Sequence, residues 1–207
     1  MRPPESWKSA RVTLVIAAVT AAAWLLAGTG LQHVAVAWGA FIPANVGPPF
    51  APDLLTPLTA TLLHANWIHL GFNLLMLLFC GRAVETILGA RGLIILYILG
   101  AYAAAAAQWA ADPSSMVPMI GASGAISAVL GAYAMLFARN KVKVASPSLA
   151  LWLHALWLAA AWVGLQLLIG FTFRTAGPAI AIAAHIGGFL IGLVLAKPLL
   201  LLRYRGA

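Results

Sequence analysis

The stretch GASGAISAVLG, residues 121–131, opens a hydrophobic helix with a serine set between small residues, and its spacing carries the fold. Ser123, Ser127 and Gly131 recur every four residues, which lines one helix face with small side chains. A later apolar segment answers it, because Ala181, His185, Gly188 and Gly192 make a matching stripe. Two such stripes allow close backbone approach, so the spacing predicts that the Ser123 hydroxyl and the His185 imidazole meet between two packed helices. Polar groups inside apolar spans have few reasons to be there, and activating a serine as a nucleophile is one of them.

The rest of the composition agrees with a lipid setting. The chain has 207 residues, 63% hydrophobic and 8% charged, with a mean hydropathy of +0.99, too little polar surface to coat a water-soluble globule. Its one cysteine, Cys80, excludes an intramolecular disulfide and reads as an apolar filler. A net charge of +8 could suggest nucleic acid, but the positions of the basic residues give it another meaning.

Six apolar stretches are expected to cross the bilayer, at about 12–31, 66–80, 92–111, 122–138, 149–171 and 178–202, the second and fourth being short. Proline and glycine mark the connections, including Pro43, Pro48, Pro49 and Pro52 in a long first loop over 32–65. With residues 1–11 and 203–207 as cytoplasmic tails, 11 of the 12 Lys and Arg residues fall inside and only Arg174 lies outside. The expected architecture is therefore an all-α membrane protein: a single six-transmembrane-helix bundle over 1–207 with both termini cytoplasmic. The basic residues orient the chain, and a nucleic-acid partner is not expected. The first span follows basic residues, as a secretory signal would, but its long apolar run without a small-x-small cleavage site favours a retained span.

Counting along each helix from its basic end at about 1.5 Å per residue places the polar groups at comparable heights. His69 is about 20 Å from Arg82 and Asn73 about 14 Å; Ser123 is about 24 Å from Arg139; His185 is about 18 Å from Lys197. All four occupy one slab in the outer half of the membrane. His69 and Asn73 are four residues apart and share a helix face. The segment from Asp112 to Ile120 has to dip to meet Ser123, and irregular backbone at that depth implies a water-filled cavity or a protein cover.

A serine hydroxyl needs a base, and His185 is the candidate. The four acidic residues, Glu5, Asp53, Glu85 and Asp112, are all expected in loops or tails near the membrane boundaries, so the third member of a triad is missing and a dyad is expected. Asn73, His69 and the Ser123 backbone N–H suit an oxyanion site, and Gly121 and Gly124 leave room for a substrate backbone. No His-Glu-x-x-His run and no intramembrane aspartate pair exists, and alanine at position 125 excludes the Gly-x-Ser-x-Gly elbow. No metal or organic cofactor is expected. His154 is expected to be structural near an interface, His33 to be solvated, and His64 to brace the first loop. Trp152, Trp157 and Trp162 are expected to be lipid-facing or interfacial bulk.

At these residues the chain resembles the rhomboid family of intramembrane serine proteases. The resemblance rests on HANWIHLGFN from His64 through His69 to Asn73, GRAVE from Gly81 to Glu85, GASG from Gly121 to Gly124, and AHIGG from Ala184 to Gly188 with Gly192. It implies Ser123 as nucleophile, His185 as general base, and His69, Asn73 and the Ser123 amide as oxyanion donors. His64, Glu85, Gly121, Gly124, Gly188 and Gly192 would be structural or packing residues. It further implies transmembrane protein substrates cut near the outer face, a minimal prokaryotic type in a bacterial inner membrane, and a gate and cap made by the fifth helix and the loop from Phe171 to Pro178. The Trp-Arg pair that many members carry in the first loop is absent, with Asp53-Leu-Leu-Thr-Pro57 near that place. A non-catalytic rhomboid-like binder of membrane helices is the alternative. A small transporter is a more distant one, since no inverted repeat is visible.

Overall fold

The structure, a computed structural model, describes residues 10–28, 30–47, 51–137, 146–172 and 181–205. It is all-helical: α1 (Arg11–Ala27), α2 (Gln32–Gly39), α3 (Ala51–Thr59), α4 (Trp67–Met76), α5 (Arg82–Ala111), α6 (Ser123–Phe137), α7 (Pro147–Thr172) and α8 (Ile182–Tyr204). Among the described residues the only β pairing is one isolated bridge between Phe41 and Met119. Trp67–Ala111, Pro147–Leu165 and Ile182–Tyr204 are long and apolar enough to cross a membrane, while Arg11–Ala27 and Ser123–Phe137 are shorter apolar helices. Arg2, Lys8, Arg139, Lys141, Lys143, Arg174 and most of the expected cap loop lie outside the described residues.

The stretch expected to end at 80 continues. A π-helical turn, Leu77–Gly81, joins α4 to α5 without a break, and the helix is interrupted only at Gly89, whose φ of +76° a side chain would resist. Arg82 is therefore inside a helix and does not mark its end, so heights measured from it are too small by about seven residues, or roughly 10 Å. Glu85 was expected near a boundary loop; it is instead 2% exposed inside α5. Its carboxylate accepts from the backbone N–H groups of Val12 and Thr13 at 2.9 and 2.8 Å and from Thr13 Oγ1 at 2.7 Å. Ala10, the cap position of α1, offers no side-chain acceptor, so a carboxylate from another helix satisfies the free donors of the first turn. At the same end Arg203 of α8 donates to the Thr86 carbonyl at 2.7 Å and lies against Gly89.

The first loop contains two helices, α2 and α3. Pro57 stands inside α3, and Tyr102 of α5 ties that helix down through a 2.7 Å bond to the Leu54 carbonyl.

The bundle centre is α5, α6 and α8, packed through small residues. A Cβ on Gly188 would run into the Gly124 carbonyl, one on Gly192 into the Ala128 carbonyl, and one on Gly131 into the Phe189 carbonyl. In lipid no hydrophobic effect drives helix against helix, so close van der Waals contact of this kind is what holds them together. Around that seam Leu77, Val84, Leu93, Leu96 and Val129 are fully buried. By contrast, α7 stands at the periphery with Trp152, Leu156 and Trp157 exposed.

Candidate active site

Ser123 is the first residue of α6, and His185 lies in the first turn of α8. The glycine contacts fix the separation of these two helices, and the result is a distance of 2.8 Å between His185 Nε2 and Ser123 Oγ. Sixty-two residues of chain separate the two groups. In one tautomer Nε2 accepts the hydroxyl proton, the geometry in which an imidazole acts as a base.

His69 and Asn73 come from α4. Asn66 caps that helix, its side chain accepting from the His69 backbone N–H at 2.9 Å, which sets where the first turn begins. The His69 ring then passes directly over Gly121: a Cβ there would sit 2.7 Å from His69 Cε1 and Nε2, and 3.7 Å from Ser123 Oγ. Gly121 has φ +111°, so both conformation and space require glycine. Asn73 Nδ2 donates to the His69 carbonyl at 2.8 Å, while its Oδ1 is buried without a hydrogen-bond partner among the described residues. All the residues expected at the site, Ser123, His185, His69, Asn73, Gly121 and Gly124, line one cavity of about 830 Å³.

The segment before Ser123 is held by the first loop. Phe41 and Met119 exchange backbone hydrogen bonds at 3.1 and 2.8 Å, Ala44 N–H donates to the Ser115 carbonyl, and Gly121 N–H donates to the Ala60 carbonyl at 2.9 Å. Irregular backbone next to the serine is thereby satisfied by protein. His64 supports the same loop: its carbonyl accepts from Trp24 Nε1 and Gln32 Nε2. Its own ring is 1% exposed and meets the His69 ring edge-on at 4.9 Å. Burial, helped by the neighbouring His69, pushes the His64 imidazole down to about 4.

Gln108 and Trp162 are cavity residues that the sequence did not single out. Gln108 extends the polar lining along α5, with Oε1 buried and lacking a partner among the described residues. Trp162 was expected to be lipid-facing bulk; it lines the cavity and donates from Nε1 to the His185 carbonyl at 3.2 Å. An indole in an apolar helix gives no sequence signal of which way it faces. His33 is exposed, as expected, whereas His154 is 6% exposed within α7 and away from the dyad. Among the described residues no group of three or more metal-ligating side chains gathers.

The sequence matches the family description Rhomboid domain over residues 52–202, which is well over half of the chain. The chain belongs to the rhomboid family. With its long apolar helices, membership makes it an integral membrane protein. It is 29% identical over 189 residues, 91% of its length, to the rhomboid protease GlpG of Pectobacterium atrosepticum, and it covers 63% of that protein. It is 30% identical over 140 residues to rhomboid protein 1, mitochondrial, of Saccharomyces cerevisiae, covering 63% of this chain and 38% of that one. A further rhomboid protease GlpG, from Haemophilus influenzae, is 28% identical over 138 residues, 65% of this chain and 64% of its own. The chain thus spans about three-fifths of the length of these bacterial relatives and less of the yeast one.

Proposed function

We propose that this protein is an intramembrane serine endopeptidase that cleaves transmembrane or membrane-adjacent segments of other membrane proteins by a Ser123 and His185 dyad. The single observation that carries this reading is the 2.8 Å approach of Ser123 Oγ to His185 Nε2 inside a cavity lined by further hydrogen-bonding groups. The proteases named among its relatives support it.

Ser123 Oγ attacks the scissile carbonyl carbon as its proton passes to His185 Nε2. The oxyanion that forms is met by the Ser123 N–H, one of the unpaired donors of the first turn of α6, together with the His69 ring and the second N–H of the Asn73 amide. Because Asn73 Nδ2 already holds the His69 carbonyl, that second N–H is fixed in direction before substrate arrives. The imidazolium returns its proton to the leaving amine, leaving an acyl-enzyme. Water entering the cavity, deprotonated by His185, hydrolyses the ester and restores the serine. A substrate helix has to unwind locally to offer a peptide bond, so small or helix-breaking residues near the cut are expected.

In the membrane we read six spans, with the stretches on either side of Gly89 as the second and third, and both termini in the cytoplasm. The basic residues support that orientation, which places the site towards the outer face of a bacterial inner membrane. The test is cleavage of a single-span substrate in liposomes. Wild type should cut it and Ser123→Ala should not; undiminished cleavage by Ser123→Ala ends the reading.

A further inference from the structure

We infer that Trp162 of α7 is a positioning residue for the His185 base, so that the peripheral helix α7 forms part of the catalytic apparatus. The inference rests on the dyad reading above. Three observations converge on it. The Trp162 indole Nε1 donates to the His185 carbonyl at 3.2 Å. Its ring stacks on Phe189, with centroids 4.8 Å apart and planes inclined by 13°. Phe189 lies one helical turn beyond His185 and is 3% exposed, so the indole grips the same turn of α8 by backbone and by side chain. Many large α7 side chains face outward, with Trp152, Leu156, Trp157, Leu165, Leu167 and Leu168 exposed, whereas Trp162, among the described residues of α7, lines the cavity.

The chemistry gives that grip a purpose. A triad holds its imidazole through a carboxylate, and among the described residues no acidic side chain lines the cavity beside His185; Asp112, which does line the cavity, lies at the exposed end of α5, more than two helical turns beyond Ala104, which packs on Gly124. The turn of α8 that carries His185 lies near the helix start, where intrahelical restraint is weakest, so a contact that holds this turn also bears on where the imidazole sits. A carbonyl has two lone pairs, so the helix bond and the indole bond can coexist and pin the peptide unit from both sides. Misplacement of a reacting group by about 1 Å can lower a rate about 100-fold, so a restraint of this kind is read in turnover and not in substrate affinity.

The experiment compares wild type, Trp162→Phe, Trp162→Leu and Ser123→Ala in detergent. It measures the rate of fluorophosphonate labelling at Ser123, kcat and KM on a single-span substrate, and the thermal midpoint. Trp162→Phe keeps an aromatic ring over Phe189 and loses the N–H donor. Labelling rate and kcat should both fall roughly threefold to tenfold, with KM unchanged. Trp162→Leu loses the stack as well and should fall further; if it does not fold, Trp162→Phe alone decides. Unchanged labelling and kcat in a folded Trp162→Phe, or a change confined to KM, overturns the inference while leaving the dyad intact. Failure of wild type to label overturns both.

Discussion

Two polar clusters among the described residues can be compared, one at each end of this apolar bundle, and they are used differently. At the Gly89 end, each Glu85 oxygen accepts at least one hydrogen bond, and Arg203 caps the Thr86 carbonyl. At the other end Ser123 and His185 hold each other, but Asn73 Oδ1 and Gln108 Oε1 are buried without partners among the described residues, and the cluster opens on a cavity of about 830 Å³. The bonds of the first cluster are all made to other helices, so it acts as a staple between α1, α5 and α8. The second cluster opens on a cavity that water or a substrate can enter, which the proposed chemistry requires.

The contrast is open to direct attack. The largest effect should come from Ser123→Ala, which should lower cleavage of a single-span substrate by about 10⁴-fold or more while leaving the thermal midpoint essentially unchanged. A comparable loss of folding would mean that the serine is a packing residue. Asn73→Ala should lower kcat by about 10²–10³-fold, the worth of one oxyanion donor, with little change in KM. At the first cluster the signs exchange. Glu85→Ala strands two backbone donors and a hydroxyl at the start of α1 and should cost about 2–4 kcal/mol of stability in detergent unfolding. The folded fraction should keep a near-normal kcat; a specific loss of turnover there would dissolve the distinction between the clusters.

A smaller effect concerns acid. His64 is held down to about 4 by burial, against about 6.5 when unfolded, so the unfolded chain takes up this proton first. Its contribution to stability is complete above pH 6.5, declines as pH falls from there to about 4, and is constant below. His64→Gln should flatten that part of the stability profile, read as thermal midpoint against pH. An equal slope in the variant would place the acid sensitivity elsewhere.

Much of the site was legible because its chemistry is written in short local patterns. Stripes at four-residue spacing announced the α6 and α8 seam, and His69 with Asn73 announced a shared face on α4. The family description over residues 52–202 agrees with the resemblance drawn from those same motifs. The ends of helices were less legible. Arg82 and Glu85 look like the polar edge of a span, yet the helix runs through them because the Glu85 charge is absorbed by the start of α1, a contact between residues more than seventy apart in sequence. The proline-rich first loop hid α3 for the converse reason: Pro57 is accommodated within a helix that packs on α5. Trp162 was unreadable because the facing of an aromatic residue in an apolar helix is settled by its neighbours in space.

The most direct measurement of the central claim is the site of fluorophosphonate modification, mapped by mass spectrometry on folded wild type, Ser123→Ala and His185→Ala. Wild type should carry a single adduct on Ser123, Ser123→Ala none, and His185→Ala should react at a rate reduced by orders of magnitude. An adduct on another residue, or a His185→Ala protein that reacts at Ser123 as fast as wild type, would contradict that claim.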